Sequence, residues 1–169
     1  MSAVEEAIRW WEQFRAGTIA ELENIPEEHW GERPGEGARD LLELARHVAE
    51  AGVGFTNELV REDEASFARL FDPRVQAELR AALPRASSKA EAIELLRQTG
   101  ADGARRLRAA ADALAAQSMK AFGQPQSRLT ALWFAISHEM YHRGQIALRS
   151  RAAGCVPVLT QQMQGSRPR

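Results

Sequence analysis

His138 and His142 stand four residues apart in the stretch Ser137-His138-Glu139-Met140-Tyr141-His142-Arg143-Gly144-Gln145. On a helix, at about 100° per residue, this spacing projects both imidazoles from one face, where two neutral ring nitrogens can share one divalent ion. With Glu139 the stretch also reads as H-E-x-x-H, in which the glutamate is a candidate general base that polarises a metal-bound water. The alternative for Glu139 is an ordinary ion pair with Arg143, one helical turn on. Enzymes of the H-E-x-x-H kind take a third ligand from further along the chain, but residues 143–169 contain no His, Asp or Glu. A third ligand of the usual kind therefore lies upstream.

Upstream there are two other histidines, His29 and His47. His47 falls on the apolar stripe Leu41, Leu44, Val48, Ala51, Phe55 and Leu59 of a predicted helix, so it points inward. His29 lies in a turn-rich loop beside Trp30. His47 is thus the candidate third ligand, against the alternative of a core imidazole hydrogen-bonded to a nearby carbonyl or carboxylate. Trp30 reads as a lid over the core or as the wall of a ligand pocket. Cys155 and Tyr141 read as packing residues.

The elements that must carry these groups are helical. The chain has 169 residues, rich in Ala, Leu, Glu and Arg, with 7 Pro and 12 Gly that fall mostly between periodic segments. This predicts an all-α domain and no sheet. A capping box at Ser2 and Glu5 opens a first helix running to about Glu23, with Val4, Ile8, Trp11, Phe14, Ile19 and Leu22 at helical spacing and Arg15 as an exception among them. A second helix begins near Ala38. Residues 61–87 are irregular, with a short helix opening at Pro73. A third helix starts at the Ser88 and Glu91 box and continues to Leu114, with Gly100 and Gly103 allowing either close approach of a neighbour or a kink. Residues 121–126 read as a connection. The last helix, capped by Ser127 or Thr130, ends before Gly154. It is apolar on two sides, with Ala131, Phe134 and Ala135 beside His138, and Leu132, Trp133, Ile136 and Met140 opposite. The second side predicts packing within the bundle or a subunit interface.

Net charge is −1, unevenly distributed. Residues 1–64 carry 6 Arg against 16 Asp and Glu, and the remainder carries 16 basic against 7 acidic groups. Acidic and basic helices lying side by side account for this. No dense basic block marks a nucleic-acid surface. A single cysteine suits a reducing compartment, and no run of 18 apolar residues or signal peptide is present, so the expectation is a cytoplasmic protein without a membrane partner.

The run His138-Glu139-Met140-Tyr141-His142-Arg143-Gly144-Gln145-Ile146, followed by Arg151, Gly154 and Pro157, resembles the C-terminal signature of the DinB/YfiT-like superfamily. The passage from Ile25-Pro26 through Arg33-Pro34-Gly35-Glu36-Gly37 to Leu44-Ala45-Arg46-His47-Val48-Ala49-Glu50 is similar to the first half of that pattern. The likeness covers about residues 1 to 60 and 126 to 158. It implies an up-and-down four-helix bundle, here with a short extra helix in the middle connection, usually dimeric. It also implies a divalent metal, often nickel or zinc, on His47, His138 and His142. Some members of that superfamily are transferases or isomerases that use bacillithiol, mycothiol or glutathione. The expectation is therefore a metal-dependent enzyme of thiol S-transferase type acting on a small molecule, with a hydrolase using metal-bound water or a non-catalytic metal-binding dimer as alternatives. The domain is expected to span residues 1–158, with 159–169 a flexible tail.

Overall fold

The computed structural model describes residues 1–165. Its four long helices are α1 (Ala3–Asn24), α2 (Leu41–Val60), α4 (Lys89–Ala109) and α6 (Arg128–Ala152), and they form the four-helix bundle. A short α3 (Pro73–Ala82) lies in the middle connection, as expected, and α5 (Ala111–Ala116) follows α4 after a break at Ala110.

Local chemistry sets the boundaries. Ser2 accepts from the Glu5 N–H at 3.1 Å to open α1, and Ile25, held extended ahead of Pro26, closes it. The second helix begins at Leu41, later than the periodicity suggests, because Asp40 and Glu43 form a full capping box. Ser88 caps α4, while the Glu91 carboxylate reaches back to Ser87. Ser127 caps α6, and Gly154, at φ +77°, ends its final turn in the left-handed conformation that a side chain disfavours.

Cross-helix contacts give the directions. Glu5 and Glu12 pair with Arg108, and Glu23 pairs with Arg97, so the acidic α1 and basic α4 run antiparallel, as the charge asymmetry suggests. Arg106 donates to Asn57, and Arg46 to the Ala86 carbonyl ahead of α4, so α2 and α4 run parallel. Arg15 pairs with Glu139 and Asn24 with Ser150, so α1 and α6 are parallel too. A bundle with α2 and α4 parallel needs a connection that returns the length of the molecule. Residues 61–88 supply it and carry α3 across the face of α2.

The structure departs from the sequence reading in three places, the first being this parallel α2–α4 pair, where an up-and-down order was expected. A two-stranded antiparallel hairpin, β1 (Ser118–Ala121) and β2 (Gln124–Ser127), replaces the expected coil. Its turn is Phe122-Gly123, with φ of 50° and 78°, the two-residue geometry whose twist matches paired strands. Pro125 is tolerated because a two-stranded ribbon has only edges. The hairpin is fixed to the bundle by the Lys120 N–H, which donates to the Ala65 carbonyl at 3.1 Å. The expected flexible tail 159–169 instead begins within a helix, α7 (Val158–Gly165), because the buried Glu21 carboxylate accepts from the Val158 and Leu159 N–H groups at its start. Residues 166–169 lie outside the described residues.

The core is in two parts. Val4, Ile8, Trp11, Phe55, Leu107 and Ile136 fill one end, and Ile19, Leu22, Leu44, Val48, Leu96 and Ile146 the other. Trp30 caps the second part, with its indole N–H donating to the Ile25 carbonyl. Between the two lies a polar layer built on Arg15. Its guanidinium makes two bonds to Glu139, of 2.6 and 2.9 Å, and a third and fourth to Thr99 Oγ1 and the Leu96 carbonyl, both 3.1 Å. Gly100 and Gly52 give it room: a Cβ at either would come within 2.7 Å of the Arg15 side chain. Close approach, not a kink, is what Gly100 serves, since α4 continues through it.

Candidate metal centre

The imidazoles of His47, His138 and His142 converge beside this polar layer, on the α2 side of α6. Their ligating nitrogens all lie within 4.8 Å of one another, and the Nε2 atoms of His138 and His142 are 3.2 Å apart. Three nitrogens at about 2.0 Å from one ion would stand roughly 3.3 Å from each other, so the pair on α6 is already at the spacing and His47 needs only a small inward adjustment. The His142 Nδ1 lies 2.8 Å from Gln145 Oε1. An amide oxygen can only accept, so this bond puts the proton on Nδ1 and leaves the Nε2 lone pair for a ligand. Among the described residues this is the one His, Cys, Asp or Glu group of three or more whose ligating atoms converge in this way.

The environment keeps the rings neutral. Burial pushes His47 down to about 4, with the Arg39 charge and His142 adding to it, and pushes His138 down to about 3, with the other two imidazoles and Arg39 contributing. His142 is also lowered by burial, which its bond to Gln145 partly opposes. Neutral imidazole is the form that ligates a metal, and here it persists well below pH 7. A stability prediction follows for chelator-treated protein. Above the unfolded value of about 6.5 the rings are neutral in both states, and as pH falls below it the unfolded chain takes up protons that the folded site refuses. Stability should therefore decline between pH 6.5 and 5, ahead of most carboxylate titration, as read from urea unfolding midpoints. His47→Ala should flatten that slope; an unchanged slope would contradict the assignment.

Glu139 does not occupy a base's position. Its carboxylate is committed to Arg15, with both side chains 4% exposed, and it is not among the groups lining the adjoining cavity. Both carboxylate oxygens are taken up by charge-assisted bonds to Arg15, so neither is turned toward the imidazoles to receive a proton from a bound water. Nor does it pair with Arg143, which turns toward Gly17 and stands 3.7 Å from Glu21. His29 pairs with Glu32 at 2.8 Å, away from the cluster. Tyr141 is exposed, with its ring 5.1 Å from that of His142, and Cys155 is half-buried near the end of α6.

His47 and His138 form one end of a cavity of about 550 Å³ between α2, α3, the hairpin and α6. Its apolar wall is a chain of aromatic rings. Phe122 meets Phe134 at 4.6 Å between centroids, Phe67 meets Phe55 at 5.0 Å, and Phe55 meets the His138 ring at 5.2 Å. Its polar side carries Arg39, Arg46, Arg80, Glu43 and Glu50. Glu50, three residues beyond His47 on α2, is half-buried, and that burial raises its carboxyl above the usual range against the pull of Arg80, Arg39 and Arg46. Sequence reading passed over it. The available signal was its i+3 spacing from His47.

The sequence matches the DinB family over residues 1–167. No curated protein matches it. Among solved structures it is similar to a DinB-like protein, YjoA, from Bacillus subtilis, at 18% identity and a TM-score of 0.65, covering 88% of this chain and 92% of that one. It is also similar to YfiT from Bacillus subtilis, described as a probable metal-dependent hydrolase with an unusual four-helix bundle topology. That likeness has 16% identity and a TM-score of 0.66, over 90% of this chain and 88% of that one. At these identities the likeness establishes the fold.

Proposed function

Because the chain belongs to the DinB family, we propose that it is a metal-dependent enzyme of thiol S-transferase type, using nickel or zinc, that joins a low-molecular-weight thiol to an electrophilic small molecule. The observation carrying this reading is that three neutral imidazoles converge within 4.8 Å at the end of a cavity large enough for an organic substrate. A divalent ion on His47, His138 and His142 would lower the pKa of a thiol or a water and so supply a nucleophile near neutral pH. Gln145 sets the tautomer of His142, the phenylalanine wall excludes water from the substrate's apolar part, and Glu50, which lines the same cavity as His47, places a carboxyl where it can exchange a proton with the reacting groups. A hydrolase is the second reading, favoured by the description of YfiT.

Metal-loaded protein incubated with bacillithiol, mycothiol or glutathione and a fluorogenic electrophile such as monochlorobimane separates the two. Thiol consumption that requires metal supports transfer, hydrolysis products formed without thiol support the second reading, and neither result overturns both. In whichever assay is active, Glu50→Gln should lower turnover roughly a hundredfold with metal content unchanged. Unaltered turnover and pH profile would remove Glu50 from the mechanism.

We also propose a cytoplasmic homodimer. No helix among the described residues is long and apolar enough to cross a membrane. On the outer faces of α1 and α6, Trp10 stacks on Phe14 at 5.5 Å, and Trp10, Trp133 and Met140 are exposed. Light scattering should give twice the 18.7 kDa chain mass, falling to the single mass in Trp133→Glu; a monomer at micromolar concentration would refute it.

A further inference from the structure

The cavity beside the imidazoles has two unlike sides, and together they describe a substrate. On one side, Phe122 is half exposed at the tip of the hairpin and Phe134 is partly exposed on α6, yet the two rings pack on each other and continue inward through Phe67 and Phe55. Exposed aromatic surface gathered in a concavity is a binding wall. On the other side, three arginines face two glutamates. Glu43 is already held by Arg33 at 2.6 Å, and the Arg46 Nε donates to the Ala86 carbonyl at 2.7 Å. Arg39 and Arg80 stand exposed at the mouth, and among the described residues neither guanidinium makes a hydrogen bond or ion pair. Arg39 lines the same cavity as His47 and His138.

We infer that the substrate of this site is an organic monoanion, an aryl or alkyl carboxylate, whose apolar body lies along Phe55, Phe67, Phe122 and Phe134 and whose carboxylate is received by Arg39 and Arg80. The inference rests on the metal-dependent reading for where the reaction occurs, but the recognition itself belongs to the arginines and the rings. With Glu43 held by Arg33 from outside the cavity, the lining carries an excess of positive charge that a carboxylate matches. Guanidinium donors that lack a partner are the groups that gain most from an anion, because no existing bond is lost. The aromatic wall supplies attraction in proportion to the apolar area covered.

Calorimetric titration of phenylpropionate, phenylpropanol and propionate tests this, in both metal-loaded and chelator-treated protein. Phenylpropionate should bind about tenfold or more tightly than either of the others, the worth of one charge-assisted bond or of one buried ring. The preference over the alcohol should vanish in the double variant Arg39→Ala, Arg80→Ala, and the preference over propionate should fall in Phe134→Ala. Equal affinities, absence of binding at millimolar concentration, or a carboxylate preference that survives the double variant would overturn the inference. So would a preference present only with metal, since the ion and not the arginines would then read the charge. Because discrimination in chelator-treated protein does not depend on an ion, its presence without metal uptake would refute the metal centre and leave this inference standing, and metal uptake without discrimination would do the reverse.

Discussion

His142→Ala should leave a folded bundle that no longer retains a divalent ion through dialysis. The variant keeps His47 and His138, but two ligands on different helices cannot hold an ion as three do, and Nε2 of His142, 3.2 Å from that of His138, supplies the half of the site that is already at ligand spacing. Loss of an outer partner of a metal-bound histidine lowers affinity about 10- to 100-fold. Removing the ligand itself should exceed that, and Gln145→Ala should fall within it. Elemental analysis after dialysis, with chelator competition for the affinities, gives the order wild type, Gln145→Ala, His142→Ala. His47→Ala should behave as His142→Ala does. Unchanged metal stoichiometry in either histidine variant would disprove the three-histidine site.

Glu139→Ala should be the most destabilising single substitution in the polar layer. Arg15 would keep its bonds to Thr99 and the Leu96 carbonyl, but its charge would be left buried between two apolar halves without an anion. Removing one member of such a pair costs about 3–5 kcal/mol. For a chain of this size that corresponds to a fall in Tm on the order of 10 °C. Glu139→Gln, which keeps an acceptor and loses the charge, should lie between. Replacing both partners with apolar residues, Arg15→Met with Glu139→Leu, should recover much of the loss because no charge remains unpaired. Glu139 also fixes the axial position and rotation of α6, on which His138 and His142 ride. Metal affinity measured well below the melting transition should therefore drop in Glu139→Ala and recover in Glu139→Gln, a pattern that a purely global loss of stability would not give.

These two residues, adjacent to each other's helical turn, differ in how far the sequence exposes them. The histidines are legible because helical spacing alone brings His138 and His142 together, and because His47 sits on a stripe that must face inward. Glu139 misleads because its neighbours suggest a motif and an i, i+4 partner, while its real partner is 124 residues away. The signal was in α1: an arginine inside an apolar stripe demands a buried anion, and Glu139 was placed on the helix that had to receive it. The start of α2 was equally readable from Asp40 and Glu43. The hairpin was harder, since Phe122-Gly123 is not a common turn pair and Pro125 argues against a strand. The cavity wall was hardest, because α3 buries none of its residues and offers no core periodicity, only Gln76, Leu79 and Arg80 turned toward the open space.

The hairpin begins and ends side by side, with Ser118 opposite Ser127, so its length and tip can change without altering where α5 stops or α6 starts. Phe122 is carried at that tip, and no imidazole is. The protein thus separates two heritable properties, with the ion held by residues locked into helix packing and the outer face of the cavity carried on an appendage whose alteration leaves the bundle intact. Selection for new substrates, in nature or in the laboratory, has a short segment on which to act at little cost to the fold, and libraries confined to residues 121–124 are where altered selectivity should emerge first.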